Sequence, residues 1–233
     1  MGFSGGYHEW RIKRIAAITE YMGADWFRGK KVLELACGYG DIGIAFWALG
    51  ADVVFSDGRN EHLQELRSRY PMIAADKIIW ADLEEGIKLP ASCGSFDLII
   101  HHGVLYHLNN WRKTIEDSAR LCRHLMLETE VCDSNDETLE LKTTEDGYDQ
   151  ALSKVGSRPS AALVEQVLVS SGFHHERLRD DRCNANIHRY DWPVTDRRSW
   201  DHGLRRFWFC ERKTEALSET SISESLRFAL ASG

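Results

Sequence analysis

Three kinds of residue in this sequence are placed to do chemistry. The first is a glycine turn: Val32-Leu33-Glu34-Leu35-Ala36-Cys37-Gly38-Tyr39-Gly40-Asp41-Ile42-Gly43 runs from an apolar strand through glycines toward a helix. Glycines at such a turn let a ligand approach the backbone closely. The following helix N-terminus aims amide N–H groups and a partial positive charge at the same spot. A nucleotide-like cofactor is the natural occupant. The second kind is a set of acids: Glu34 inside the strand, Asp57 before Gly58, and Asp82 before Leu83. Asp57 and Asp82 are expected at strand ends, and a carboxylate there accepts from ligand hydroxyls or amines. Glu34 needs a partner if its strand is buried, and backbone N–H groups of the turn are one candidate. The third kind is histidine. His101, His102 and His107 crowd the end of another strand, and histidine titrates near neutrality, as a general base must.

These residues need elements to hold them. Residues 7–22 pattern as an amphipathic helix with Ile12, Ile15, Ile18 or Thr19, and Met22 on one side. Strands are expected at 31–36, 51–57, 77–82, 96–101, 125–131 and 206–210, and helices at 41–49, 60–70, 110–123 and 160–171. Gly50, Pro71 and Gly172 stop three of these helices. Strands that are near-continuous apolar runs and alternate with helices indicate a parallel sheet covered on both faces, an α/β fold. Ligands in such sheets bind outside the carboxyl ends of the strands, where the acids and histidines fall.

Between Glu128 and Asp149 there are nine acids and one lysine, and 134–157 is expected to be an insertion or lid. Residues 174–213 hold ten Lys or Arg against seven Asp or Glu. The stretch from 214 to 233 is rich in Ser, Thr and Glu and is expected to be a tail.

The glycine turn alone suits two cofactors. Gly38-x-Gly40-x-x-Gly43 with Asp57 ending the next strand meets the dinucleotide pattern. Against it stand a slightly short spacing to Asp57, an acid on the first strand and no second catalytic domain. The other reading rests on Glu34-x-Ala36-x-Gly38-x-Gly40, Asp57, Asp82-Leu83 and Phe96-Asp97-Leu98-Ile99-Ile100-His101-His102-Gly103-Val104-Leu105-Tyr106-His107-Leu108, in that order. Together these motifs resemble the class I S-adenosylmethionine-dependent methyltransferase family. The resemblance implies a Rossmann-like, doubly wound, mostly parallel seven-stranded sheet over 30–213, with a helical cap over 1–29. It implies S-adenosylmethionine held by Glu34, Ala36, Cys37, Gly38, Tyr39 and Gly40 at the turn. Asp57 and Gly58 would then face the ribose, Asp82 and Leu83 the adenine, and His101 would lie against the cofactor. His102 and His107 are left as candidate bases. The departure is Ala36, where the family has glycine. Alanine does not take positive φ cheaply, so the turn is expected to be built without it at 36.

For the methyl acceptor, Tyr7 and Trp10 on the first helix, Tyr106, Arg158 before the last long helix, and Asn186, His188, Trp192 and Arg206 suit a polar substrate with hydroxyls, with or without phosphate or carboxylate. Gly103 to Leu108, Arg158-Pro159-Ser160 and Arg205-Arg206-Phe207-Trp208 look like bacterial or phage enzymes that modify sugars and polysaccharides, and loosely like those acting on tRNA wobble uridines. The expected activity is therefore O-methylation of a small polar molecule or carbohydrate. A tRNA base, a non-catalytic cofactor-binding scaffold and, last, an NAD-dependent dehydrogenase are the alternatives.

The bulk numbers narrow these. A chain of 233 residues suits one elaborated α/β domain. Its formal net charge of −7 disfavours a nucleic-acid partner. Six scattered cysteines without a C-x-x-C pair speak against a zinc cluster and for reduced thiols in a cytoplasmic setting. No bound metal, membrane span or leader segment is expected.

Overall fold

The computed structural model describes residues 6–213. Strands β1 (Lys31–Leu35), β2 (Asp52–Asp57), β3 (Ile78–Trp80), β4 (Phe96–His102) and β5 (Cys122–Glu130) are parallel. β8 (Phe173–Arg177) and β9 (Arg205–Arg212) complete a seven-stranded sheet in the order β3-β2-β1-β4-β5-β9-β8. β9 runs antiparallel to both its neighbours. The expected mostly parallel, Rossmann-like architecture is therefore present. The chain order reverses between β1 and β4, which opens a crevice at their carboxyl ends.

Side-chain alternation along the strands builds two cores. Leu33, Ile99, Leu125 and Trp208 face α4 (Trp111–Leu121) and α5 (Ala161–Ser170), with Trp111, Ile115, Val164 and Leu168 against them. Val32, Val53, Phe55, Leu98 and Phe207 face α1 (Gly6–Met22), α2 (Gly43–Ala48) and α3 (Asn60–Arg69), which supply Ala17, Ile18, Phe46, Leu63 and Leu66. Ser160 caps α5 by accepting from the Leu163 N–H at 3.0 Å, and Gly172 ends it at φ 93°.

Three local expectations are corrected. On α1 the inward face carries Trp10, Arg14, Ala17 and Ile18, while Ile12 is 52% exposed. The periodicity followed the isoleucines, but a buried partner turns Arg14 inward instead. Ser157-Arg158-Pro159, ahead of the last long helix, is a strand. It lies in β7 (Val155–Pro159), which pairs antiparallel with β6 (Glu140–Thr144) as a separate two-stranded ribbon within the expected insertion. β8 also escaped a reading by pattern, because Phe173-His174-His175-Glu176-Arg177 has one large apolar residue.

All six cysteines are unpaired and buried. Among the described residues no helix is long and apolar enough to cross a membrane. The expected 214–233 tail lies outside the described residues.

Candidate active site

The glycine turn is built from the strands outward. Glu34, buried in β1, accepts from the Gly43 N–H through Oε2 at 2.9 Å. It therefore pins the start of α2, the orienting role open to a buried acid. Burial pushes its carboxyl up to about 8, against the pull of the Gly43 N–H. Gly43 has no room for a side chain, since a Cβ there would sit 2.5 Å from Glu34 Oε2 and 2.6 Å from Phe55 Cε1. Ala36 is at φ 48°, in the left-handed region. The expectation that the turn avoids positive φ at 36 is wrong: the β1-to-α2 geometry imposes it, and alanine bears the strain. Gly38, at φ 55°, donates its N–H to Asp57 Oδ2 at 2.9 Å. Asp57 also accepts from the Arg59 N–H at 2.8 Å, which ties the β1 and β2 turns together.

These turns open on one cavity of about 590 Å³. Along one wall it is lined by Ala36, Cys37, Gly38, Asp57, Gly58, Asp82 and Leu83, with Glu34 beside them. Asp82 Oδ1 caps the 3-10 turn Leu83–Glu85 through the Glu84 N–H, and Oδ2 has no partner among the described residues. Tyr39 and Gly40 do not line the cavity. The Tyr39 ring stands edge-on to His62 and under Arg69. Gly40 packs on α3, where a Cβ would meet Leu66 Cδ1 at 2.8 Å.

The histidines separate by strand alternation. His101 faces α4 and shares a 2.8 Å hydrogen bond with Thr114 Oγ1; it does not line the cavity, so it is not the cofactor contact expected. His102 does line it, with its ring edge-on to Phe207. Burial and the Arg14 charge hold His102 well below the usual imidazole range, and neither ring nitrogen has a hydrogen-bond partner. That leaves no orienting group for a base. His107, in the 3-10 turn Leu105–His107, lines the cavity and meets Glu145 Oε2 through Nδ1. Glu145 also takes Arg158 on Oε1 at 2.6 Å and the Ala151 N–H on Oε2 at 3.1 Å. Burial pulls the Glu145 carboxyl up, but His107 and Arg158 outweigh it and bring it down to about 2. The dyad thus presents His107 Nε2 as the free ring nitrogen. Sequence reasoning missed Glu145, because it comes from the ribbon and is 38 residues away.

An alternating chain of charge leads to that dyad. Arg14 pairs with Glu128, and Glu128 with Arg205 at 2.8 Å. Arg205 reaches Glu130 at 3.0 Å, Glu130 reaches Arg158 at 2.6 Å, and Arg158 reaches Glu145 at 2.6 Å. Tyr190 closes one end, donating to Glu128 at 3.0 Å and accepting from Trp10 Nε1 at 2.5 Å. Burial works against the Glu128 charge, yet Arg14 and Arg205 hold its carboxyl far below the usual range. The chain joins α1, β5, β9 and β7.

Among the residues expected to meet the acceptor, Tyr7, Trp10, Tyr106, Arg158 and His188 line the cavity. Asn186, Trp192 and Arg206 do not. Arg206 donates to the Tyr190 and Trp192 carbonyls at 2.8 and 2.7 Å and lies 3.8 Å from the Trp192 ring centroid. On a strand only one of two neighbouring arginines can face a given side, and here it is Arg205.

The ribbon closes the cavity's far side through Glu145, Tyr148, Asp149, Gln150 and Leu152. Among the described residues no group of three or more His, Cys, Asp or Glu side chains is arranged to hold a metal ion.

Residues 7–178 match a family model described as a methyltransferase domain. The chain belongs to the methyltransferase domain family. No curated protein matches it. Among solved structures, this methyltransferase is similar to the N-terminal domain of EvdMO1 with SAH bound, at TM-score 0.65 and 21% identity over 88% of this chain and 81% of that one. It is similar to magnesium protoporphyrin IX methyltransferase from Synechocystis PCC 6803 with bound SAM, at TM-score 0.56 and 18% identity over 87% and 80%. A third is the glycopeptide N-methyltransferase MtfA complexed with SAM, at TM-score 0.55 and 14% identity over 86% and 87%. At these identities the likeness is one of fold.

Proposed function

We propose that this methyltransferase uses S-adenosylmethionine to methylate a hydroxyl oxygen of a small polar acceptor, with carbohydrate as the preferred class. The observation that carries this reading is one cavity joining a nucleoside-type donor set to an oriented histidine. Asp57 retains lone pairs for ribose hydroxyls, Asp82 Oδ2 is free for an exocyclic amine, and the glycine turn admits a ligand to the Gly38 backbone. When bound, S-adenosylmethionine supplies an electrophilic methyl group. The chain's own part is to align the acceptor and remove its proton. Glu145 holds Nδ1–H, so His107 Nε2 is the acceptor of that proton, and Glu145 stabilises the imidazolium that results. His107 takes this role over His102, which lacks both an orienting partner and the basicity.

Two measurements test the reading. S-adenosylhomocysteine should bind by isothermal titration calorimetry, and NAD should not; the reverse result refutes the donor assignment. Labelled methyl transfer into cell extract should survive nuclease treatment, and nuclease-sensitive label would point to a nucleic-acid acceptor instead.

A further inference from the structure

Every arginine that lines the cavity already faces a carboxylate, and no described lysine lines it. At the acceptor end, Arg14, Arg158 and Arg205 are 1%, 1% and 3% exposed. Glu128, Glu130 and Glu145 offset their three charges. Most donors of Arg158 and Arg205 are committed too. Arg158 gives NH1 to the Tyr106 carbonyl at 2.8 Å and NH2 to Glu145, while Nε faces Glu130. Arg205 gives NH1 to Glu128 and divides NH2 between Glu130 and the Tyr106 hydroxyl. Toward the cofactor side, Arg11 pairs with Asp41 at 2.8 Å, and Arg59 is held by Asp149 and the Gln150 carbonyl.

Burial and then Arg205 bring His188 down to about 4, so it is neutral at pH 7. His107 and His202 each lie against a glutamate, Glu145 and Glu130, that an arginine shares. The lining has five arginines against eight carboxyl groups, an acidic wall even with Glu34 protonated.

Arginine recognises phosphate and carboxylate by presenting free donors in a fork. The terminal nitrogens of Arg158 and Arg205 are spent on glutamates and on Tyr106, so neither presents an open fork, and only Arg205 Nε of the two is left without a partner among the described residues. An incoming anion at the acceptor end would find the three arginine charges already offset and would gain no net attraction from them. We propose that this methyltransferase takes an uncharged, hydroxylated acceptor and rejects phosphorylated, carboxylated and nucleotide-linked ones. Acceptor hydroxyls are donors, and the carboxylates and neutral imidazoles of the wall are their acceptors. This selectivity rests on the donor and reaction assigned above. It narrows the sequence-based expectation of a hydroxylated substrate with or without phosphate or carboxylate.

The experiment uses the full chain and separates the two layers. Calorimetric titration with S-adenosylhomocysteine comes first; absence of binding overturns the donor assignment itself. The complex is then titrated with inorganic pyrophosphate and with uridine diphosphate glucose. No saturable binding is expected for either, and saturable binding of either overturns the selectivity. In parallel, the small-molecule pool of a cell extract is split on anion-exchange resin before labelled methyl transfer. Label is expected in the unretained pool with the retained pool at background; label confined to the retained pool overturns the inference. Glu130→Gln removes a charge from between Arg158 and Arg205. Provided its circular dichroism is unchanged, it should gain pyrophosphate binding that the parent lacks. A folded Glu130→Gln without that gain refutes pairing as the cause of anion exclusion.

Discussion

His62 Nε2 lies 2.8 Å from Asp149 Oδ1, across 87 residues of sequence. The other ring nitrogen, Nδ1, faces Asp57 Oδ1 at 3.3 Å. One imidazole thus fastens the β6–β7 ribbon to the acid at the end of β2, and the ribbon carries Glu145 to His107 on its other side. Burial opposes protonation of His62, but hydrogen bonds to Asp57 and Asp149 outweigh it and raise its basicity. A group whose folded pKa is raised stabilises fully below its unfolded value, about 6.5, and that contribution is lost as pH rises through the folded value. Asp149→Asn should therefore cost about 1.5–3 kcal/mol below pH 6.5 and less above it. Thermal unfolding of both proteins from about pH 5.5 to about pH 9, spanning the ordinary histidine value, checks this. S-adenosylhomocysteine should also bind Asp149→Asn more weakly; unchanged affinity would show that the ribbon does not hold the cofactor edge.

The His107–Glu145 pair predicts a division between binding and turnover. His107→Ala should lower kcat by about 10²- to 10⁴-fold, the usual worth of a general base, with S-adenosylhomocysteine affinity unchanged. Glu145→Gln keeps the shape but removes the charge that stabilises the imidazolium. It should lower kcat and move the acidic limb of the pH–rate profile to lower pH. Equal loss of S-adenosylhomocysteine affinity in His107→Ala would mark the residue as structural.

Ala36 at φ 48° adopts a conformation that costs an L-residue about 1–2 kcal/mol. Ala36→Gly should relieve it, less the extra entropy of glycine in the unfolded chain. A net gain of about 1 kcal/mol corresponds to a rise in Tm of about 2–4 °C for a chain of this size. A lower Tm by differential scanning calorimetry would show that the alanine methyl is packed rather than strained.

Glu34 keeps its proton in the folded chain up to pH about 8, whereas a free glutamate loses it near 4.5. Between these values the folded state binds more protons, so stability falls as pH rises. Glu34→Gln keeps an acceptor for the Gly43 N–H and cannot ionise. Its stability should therefore be flatter over pH 4.5 to 8 than the parent's. Urea unfolding at three pH values checks this, and parallel curves would remove Glu34 from the account.

By itself the sequence determined six of the sheet's seven strands, the glycine turn and the strand-end places of Asp57 and Asp82. Apolar strand runs, glycines and strand-end acids are local signals, and the parallel order of strands brings their carboxyl ends together whatever the loops do. Which of two adjacent residues faces the cavity was decided only by tertiary structure. His102 and Arg205 face inward, while His101 and Arg206 are turned away, because strand register sets the side. Arg14 and Glu145 were illegible for a different reason. Each is buried only because a partner distant in sequence neutralises it, Glu128 for one and Arg158 with His107 for the other. A charge read in isolation belongs on a surface, and only long-range pairing in the folded chain puts it inside.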